Sequence, residues 1–256
     1  MNRRLISFCK QRLPNISYPI VDWLDKQKYE LAKKQFDNSH LIQFKNCAKH
    51  RRCFIVATGP SLTLDDVNAL QGEDCFSVNS IFQLFSKTKW RPKYYCVADR
   101  AVWEKLSWQI CKFEWNAIFY PFRSFDVNIP NSYPLLSRVA YSLYPNSPIK
   151  GDRFSLDATK MIYTAQTVVY VALQLAITMG YREIYLLGTD CNYRHEDKRN
   201  DLTSYPKNVS EDSGQIMIAS FDQANKVANQ LGVKIINVTR GGMLEVFPRM
   251  NLEDVL

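Results

Sequence analysis

The sequence predicts an α/β protein: a mostly parallel sheet flanked by helices, with an N-terminal helical appendage and a lid loop. Three observations carry that prediction. The apolar run Phe54-Ile-Val-Ala57 breaks at Thr58-Gly59-Pro60-Ser61 and is followed by the helix-like Leu64-Asp-Asp-Val-Asn-Ala-Leu70, the strand, turn and helix of a βα unit. Further short apolar runs at 75–78, 94–98 and 116–120 read as strands, the first two ending in Asn79-Ser80 and Asp99-Arg100. Residues 164–179 are apolar nearly all round, stop at Gly180 and lead through Tyr181-Arg-Glu into Ile184-Tyr-Leu-Leu187, so a buried helix feeds a buried strand.

With 256 residues, 46% hydrophobic and 23% charged, the chain is globular and long enough for one large domain with an appendage. The expected division is a basic helical extension at 1–52 and the main domain at 53–256. No run approaches the roughly 18 apolar residues of a membrane span, so an integral membrane protein is not expected. Seven cysteines at 9, 47, 53, 75, 96, 111 and 191 form no CxxC pair and read as reduced core thiols of a cytosolic protein.

Residues 1–52 hold 12 Lys and Arg against 4 Asp and Glu, which accounts for the whole net charge of +8. Within 1–13, Leu5, Ile6, Phe8, Cys9 and Leu13 alternate with Arg3, Arg4, Lys10 and Arg12, a pattern suited to an anionic bilayer surface. Pro14 and Pro19 are expected to interrupt it. A second helical pattern spans 20–44, with Val21, Leu24 and Leu31 beside Lys26, Lys28, Lys33 and Lys34. A helix packed on the main domain and a membrane or partner surface through residues 1–44 both remain open.

Residues 121–157, with Pro130, Pro134, Pro145 and Pro148, read as an irregular excursion that either helps form an acceptor pocket or is a structural long loop. The polar run 194–214 reads as a lid. Residues 215–231 return to helical periodicity, 234–238 supply a last strand, and Thr239-Arg-Gly-Gly242 follows it.

In a parallel sheet the strand tips converge on one edge, where a nucleotide binds. That gathers Thr58, Gly59, Pro60, Ser61, Asn79, Asp99, Gly188, Thr189, Asp190 and Arg240. Gly59 leaves room for a ligand, Pro60 presets the turn, and Ser61 offers a hydroxyl and an amide to phosphate oxygens. Gln166 and Thr167, opening the long helix, expose groups suited to an anion. The absence of a Walker A pattern and of GxGxxG weakens the ATPase and dehydrogenase readings. The three histidines, His40, His50 and His195, show no metal spacing, and no metal site is expected. His195 is an acid or base candidate in the lid or an ordinary surface histidine. Asp190 could orient a ribose, bind a cation or cap a turn.

The Gly-Pro-Ser-Leu turn at 59–62, paired with Tyr-Val-Ala-Leu-Gln-Leu-Ala-Ile-Thr-Met-Gly-Tyr-Arg-Glu-Ile-Tyr-Leu-Leu-Gly-Thr-Asp at 170–190, resembles the bacterial sialyltransferases of glycosyltransferase family 42. It also resembles the related superfamily known as domain of unknown function 115, which includes motility accessory factors, capsule and lipopolysaccharide proteins and a hydroxymethylpterin diphosphokinase. The resemblance covers about residues 53–250. It implies a Rossmann-like catalytic domain with a lid. The implied activity is transfer of an acidic sugar, sialic acid or Kdo, from a CMP-sugar donor to a glycan or lipid-linked acceptor in surface polysaccharide or lipooligosaccharide synthesis.

By the same resemblance, Thr58 stands where the family has a nucleotide-contacting Asn, Asn79 matches the Asn after the second strand, and Asp99 stands where another Asn is found. Ala165-Gln-Thr167 replaces Thr-Ser-Gly, and Tyr185 and Tyr193 lie at or near the tyrosines that hold the leaving phosphate. The family's catalytic His after the lid is missing from residues 209–214, which leaves Glu211, Asp212, Asp99 or His195 to take the acceptor's proton in an inverting transfer. A retaining reaction with Asp99 or Asp190 as nucleophile is also open. No cofactor is implied beyond the donor. The alternatives are a pterin-type diphosphokinase using ATP with Mg²⁺ on Asp99 or Asp190, and a non-catalytic binding module. Nucleic acid is not expected, because the basic segment lacks an aromatic stacking platform. The protein is expected in the cytoplasm, with a peripheral place on the inner face of the cytoplasmic membrane and self-association both left open.

Overall fold

The computed structural model describes residues 12–124, 128–144, 146–151, 153–192 and 212–256. Its centre is a seven-stranded sheet in which every neighbouring pair is parallel. The strands are β1 (Arg52–Val56), β2 (Cys75–Val78), β3 (Tyr94–Cys96), β4 (Ala117–Pro121), β5 (Ser132–Leu135), β8 (Glu183–Leu187) and β9 (Lys234–Asn237), in the order β5-β4-β3-β2-β1-β8-β9. A separate parallel pair joins β6 (Arg138–Val139) to β7 (Tyr163–Thr164).

β1 is apolar beyond its first residue because both faces of the sheet are covered, as parallel sheets require. Its side chains alternate accordingly: Cys53 and Ile55 enter one core and Phe54 and Val56 the other. On the first side lie α4 (Val168–Met179) and α5 (Asp212–Gln230). On the second lie α2 (Leu64–Ala69) and α3 (Arg100–Ile110). All-round apolarity in α4 matches its setting, since every residue from Val169 to Met179 is buried. Gly180, at φ 94°, takes the left-handed conformation that ends it.

Thr63 starts α2 with a reciprocal cap: its hydroxyl accepts from the Asp66 amide at 3.2 Å while the Asp66 carboxylate accepts from the Thr63 amide at 2.9 Å. Asp99 starts α3, its carboxylate accepting from the Val102 amide at 2.9 Å.

Several expectations are corrected. The helix expected at 20–44 is α1 (Pro14–Lys33), followed by a 3-10 turn at Ser39–Phe44. Of the two interruptions expected, the one at Pro14 is found, since helical backbone at Arg12 gives way at Leu13 and α1 starts with Pro14 in its first turn, where no amide is needed; Pro19 makes no break, and the helix runs through it. The excursion at 121–157 contains β5, which extends the sheet, and β6. Residues 164–167 are not helical; Thr164 belongs to β7 and Thr167 caps α4. Residues 212–214 of the expected lid form the first turn of α5. The rest of that lid lies outside the described residues.

α1 is held to the body by ion pairs. Arg138, 6% exposed, reaches Asp22 at 3.0 Å and Asp25 at 3.4 Å, and Arg153 reaches Asp22 at 3.4 Å. Burial raises the Asp25 pKa even against the lowering pull of the Val139 amide and Arg138. Asn38 seals the following turn by donating to the Leu136 carbonyl and accepting from its amide, both at 2.9 Å.

Candidate functional site

In the sheet order, β2 to β5 lie on one side of β1 and β8 and β9 on the other, so the connections diverge between β1 and β8. This is a topological switch point, where open parallel sheets leave a crevice beyond the carboxyl ends of the strands. A cleft is found there. It encloses about 90 Å³ and is lined by the tip of β1 (Ala57, Thr58, Gly59), the tip of β2 (Val78, Asn79), the start of α4 (Gln166 to Val169) and the tip of β8 (Gly188 to Cys191), with Met217 from α5.

The two tips are stitched together. The Ala57 amide donates to the Leu187 carbonyl at 2.8 Å and the Gly59 amide to the Gly188 carbonyl at 2.9 Å. Asp190, 7% exposed, accepts from the Ser61 hydroxyl at 2.8 Å. Glycine is required on both sides of it: a Cβ on Gly59 would stand 1.9 Å from Asp190 Oδ2, and one on Gly242 would stand 2.6 Å from the Asp190 carbonyl oxygen. The Met243 amide also donates to that carbonyl at 2.7 Å. Cys191 and Asn79 have φ of 52° and 49°, left-handed values that non-glycine residues adopt at a cost. The Asn79 carbonyl is fixed by the Tyr95 hydroxyl.

Thr189 contributes an unsatisfied group. Its amide donates to the Thr239 hydroxyl at 3.0 Å, but its own buried Oγ1 has no hydrogen-bond partner among the described residues. A buried polar atom without a partner costs about 1–3 kcal/mol, which a ligand hydroxyl or phosphate oxygen in the cleft would offset. Thr167 caps α4, its hydroxyl accepting from the Val169 amide at 3.2 Å, and so presents the helix N-terminus to the cleft. Gln166 donates to the Tyr144 hydroxyl at 3.1 Å. Burial, with the Asp190 charge adding to it, raises the Cys191 pKa to about 12, so this thiol stays protonated.

The structure thus brings Thr58, Gly59, Asn79, Gln166, Thr167, Gly188, Thr189 and Asp190 around one cleft, with Ser61 hydrogen-bonded to Asp190 and Pro60 in the turn between. Asp99 is exposed and outside the cleft lining, and its carboxylate caps α3. Arg240 stands elsewhere, paired with Asp66 and Glu253. It borders a larger hollow of about 380 Å³ with Arg249, whose guanidinium is taken up by the carbonyls of Thr239, Gly241 and Leu244. With both arginines engaged, that hollow is a weaker candidate than the switch-point cleft. Tyr185 stacks on Phe54 at 4.9 Å on the sheet face, its hydroxyl 3.5 Å from Glu183 at the opposite end of β8. Tyr193, His195 and Glu211 lie outside the described residues, as does the side chain of Asp212.

The protein-family model described as "6-hydroxymethylpterin diphosphokinase MptE-like" matches residues 26–196, more than half of the chain. The chain belongs to this MptE-like family. Membership supports the superfamily half of the expected resemblance, which includes a hydroxymethylpterin diphosphokinase, and does not reach the family 42 sialyltransferases. No curated protein matches the sequence. Among solved structures, the MAf glycosyltransferase from Magnetospirillum magneticum AMB-1 superposes with a TM-score of 0.51 over 84% of this chain at 17% identity. At that identity the likeness shows the fold alone, and the match takes in 38% of the MAf chain.

Sequence reasoning missed the part played by Gly242 and Thr239. The Gly241-Gly242 pair was a visible signal of close backbone approach. That Thr239 would hold the Thr189 amide was not, because the two meet only once β9 pairs with β8.

Proposed function

We propose that this MptE-like protein is a transferase that binds a nucleotide-activated donor in the switch-point cleft, and that the donor is a CMP-linked acidic sugar passed to a glycan or lipid-linked acceptor. The observation that carries the reading is the joint placement of the α4 N-terminus, the unpartnered Thr189 hydroxyl and the buried Asp190 at one strand edge. In this reading the donor phosphate lies over the α4 N-terminus, where amides and the Thr167 hydroxyl receive negative charge. Asn79 and Gln166 hold the nucleoside.

The leaving nucleotide departs with the electron pair of the anomeric C–O bond, and the helix terminus stabilises the charge that develops on its phosphate. The acceptor hydroxyl forms the new C–O bond and gives up its proton. Among the described residues Asp190 is the carboxylate that lines the cleft, and in this reading it takes that proton, with Ser61 orienting it. The MAf glycosyltransferase, similar in fold, is named for sugar transfer.

A second reading is favoured by the family match itself: transfer of diphosphate from ATP to a pterin alcohol. Mg²⁺ usually takes one or two carboxylates and fills its shell with phosphate oxygens and water. Asp190 fits as one such ligand; Asp99 would have to leave its place as the α3 cap.

Thermal melts with CMP, CDP, UDP, GDP and ATP, each with and without Mg²⁺, separate the readings, because a ligand of the native state raises the melting temperature. CMP should stabilise without metal. A rise seen only with ATP and Mg²⁺ would replace sugar transfer by the kinase reading, and no rise with any nucleotide would overturn both.

A further inference from the structure

α1 is a helix with two opposed faces. Tyr18, Asp22, Asp25 and Tyr29, spaced 4, 3 and 4 apart, face the body, where Tyr18 and Tyr29 are buried and the two aspartates meet Arg138 and Arg153. The opposite side is apolar as well. Leu13 at the cap, then Ile16, Ile20, Trp23 and Leu31, are each 50% to 60% exposed. At 3.6 residues per turn their spacing puts them on one side of a helix of about 30 Å, Ile16, Ile20 and Trp23 together and Leu31 beyond the exposed Gln27. A soluble helix of this kind normally turns a polar face outward, so this stripe calls for an occupant.

Charge tells which one. The docked face consumes the carboxylates of Asp22 and Asp25, which leaves Glu30 on α1 and Asp37 just beyond it as the exposed acids of this stretch. Arg12, Lys26, Lys28, Lys33 and Lys34 are all exposed on or beside the helix. We infer that the outer face of α1 docks on an anionic lipid surface: the stripe enters the headgroup boundary, with Trp23 as the interfacial ring and the lysines against lipid phosphates. Among the described residues no helix is long and apolar enough to cross a membrane. The docking requires nothing of the chemistry in the cleft.

The test is co-sedimentation of the full chain with vesicles of phosphatidylcholine alone and of phosphatidylcholine with phosphatidylglycerol. The chain should pellet with the anionic vesicles, with a blue shift in tryptophan fluorescence, and stay in the supernatant with the neutral ones. Ile20→Glu with Trp23→Glu should weaken anionic binding at least about tenfold while leaving the melting temperature in place, because both side chains are exposed. Replacing Lys26, Lys28, Lys33 and Lys34 by Gln should cost roughly fivefold per cation at low salt, and this second set carries the test should the first unfold. Equal binding to both vesicle types, or binding unchanged in the stripe variant, would overturn the inference. So would an oligomer in light scattering that the stripe variant dissolves while no vesicle is bound; the stripe would then be a contact between copies.

Discussion

Gly59→Ala tests the construction of the cleft. Gly59 does not have a positive φ, so alanine meets no backbone penalty and the effect is one of space. Its Cβ would stand 1.9 Å from Asp190 Oδ2 and 2.4 Å from the Gly188 carbonyl oxygen, where real Cβ contacts do not fall below 3.0 Å. Relief requires shifts of about 1.1 and 0.6 Å, and the second opens the Gly59–Gly188 hydrogen bond from 2.9 Å to the edge of bonding. Losing that bond and disturbing the buried Ser61–Asp190 pair amounts to about 3 kcal/mol. For a chain of this size the melting temperature should fall by about 6–12 °C, together with any nucleotide-induced rise. Adding Asp190→Ala removes the shorter conflict, so in a double-mutant cycle the pair should be less destabilised than the sum of the singles by at least about 1 kcal/mol. A Gly59→Ala protein that melts with the wild type and responds equally to nucleotide would refute the reasoning.

The remaining predictions concern the appendage. Arg138→Ala leaves the partly buried Asp25 without its cation and Asp22 with Arg153 alone, and should cost about 3 kcal/mol in urea unfolding, much of it recovered by adding Asp25→Asn. Burial lowers the His40 pKa below its usual 6.5, against the raising pull of the Asp37 and Pro134 carbonyls. The unfolded chain therefore binds the proton more readily, and His40 adds stability above pH 6.5 that is lost as pH falls through its folded value. His40→Phe should flatten the melting temperature across that window, and an unchanged slope would remove His40 as its source.

How much of the fold was legible follows from what each residue could reveal locally. The strands at 54–57, 75–78 and 184–187 were visible because burial on both faces makes them continuously apolar. α3 was missed although Val102, Trp103, Leu106 and Ile110 mark one face, since a helix that follows a strand tip directly looks like the tip's own loop. β5 was read as irregular because Pro134 lies within it, and an edge strand tolerates a proline that a central one does not. The cleft tips were legible from strand ends alone. Arg240 was not, because its partners Asp66 and Glu253 are distant in sequence.

The appendage and the cleft are physically connected, and that links the two proposals. Tyr18 of α1 packs on Tyr144 at 6.1 Å, and the Tyr144 hydroxyl takes the hydrogen bond of Gln166 on the cleft wall. Arg138 in β6 and Arg153 midway along the segment between β6 and β7 tie the same helix to that part of the chain. A lipid surface that fixed α1 would therefore fix the orientation of the Gln166 side of the cleft, because short contacts between packed rings and buried ion pairs leave little play. An acceptor carried in that lipid would then meet the donor at a constant height. Tyr144→Phe separates the linkage from the docking: it removes the hydroxyl that Gln166 reaches while keeping the ring against Tyr18. Vesicle binding should persist while any vesicle-dependent gain in nucleotide affinity falls. Equal loss of both would mean that Tyr144 only holds α1 in place.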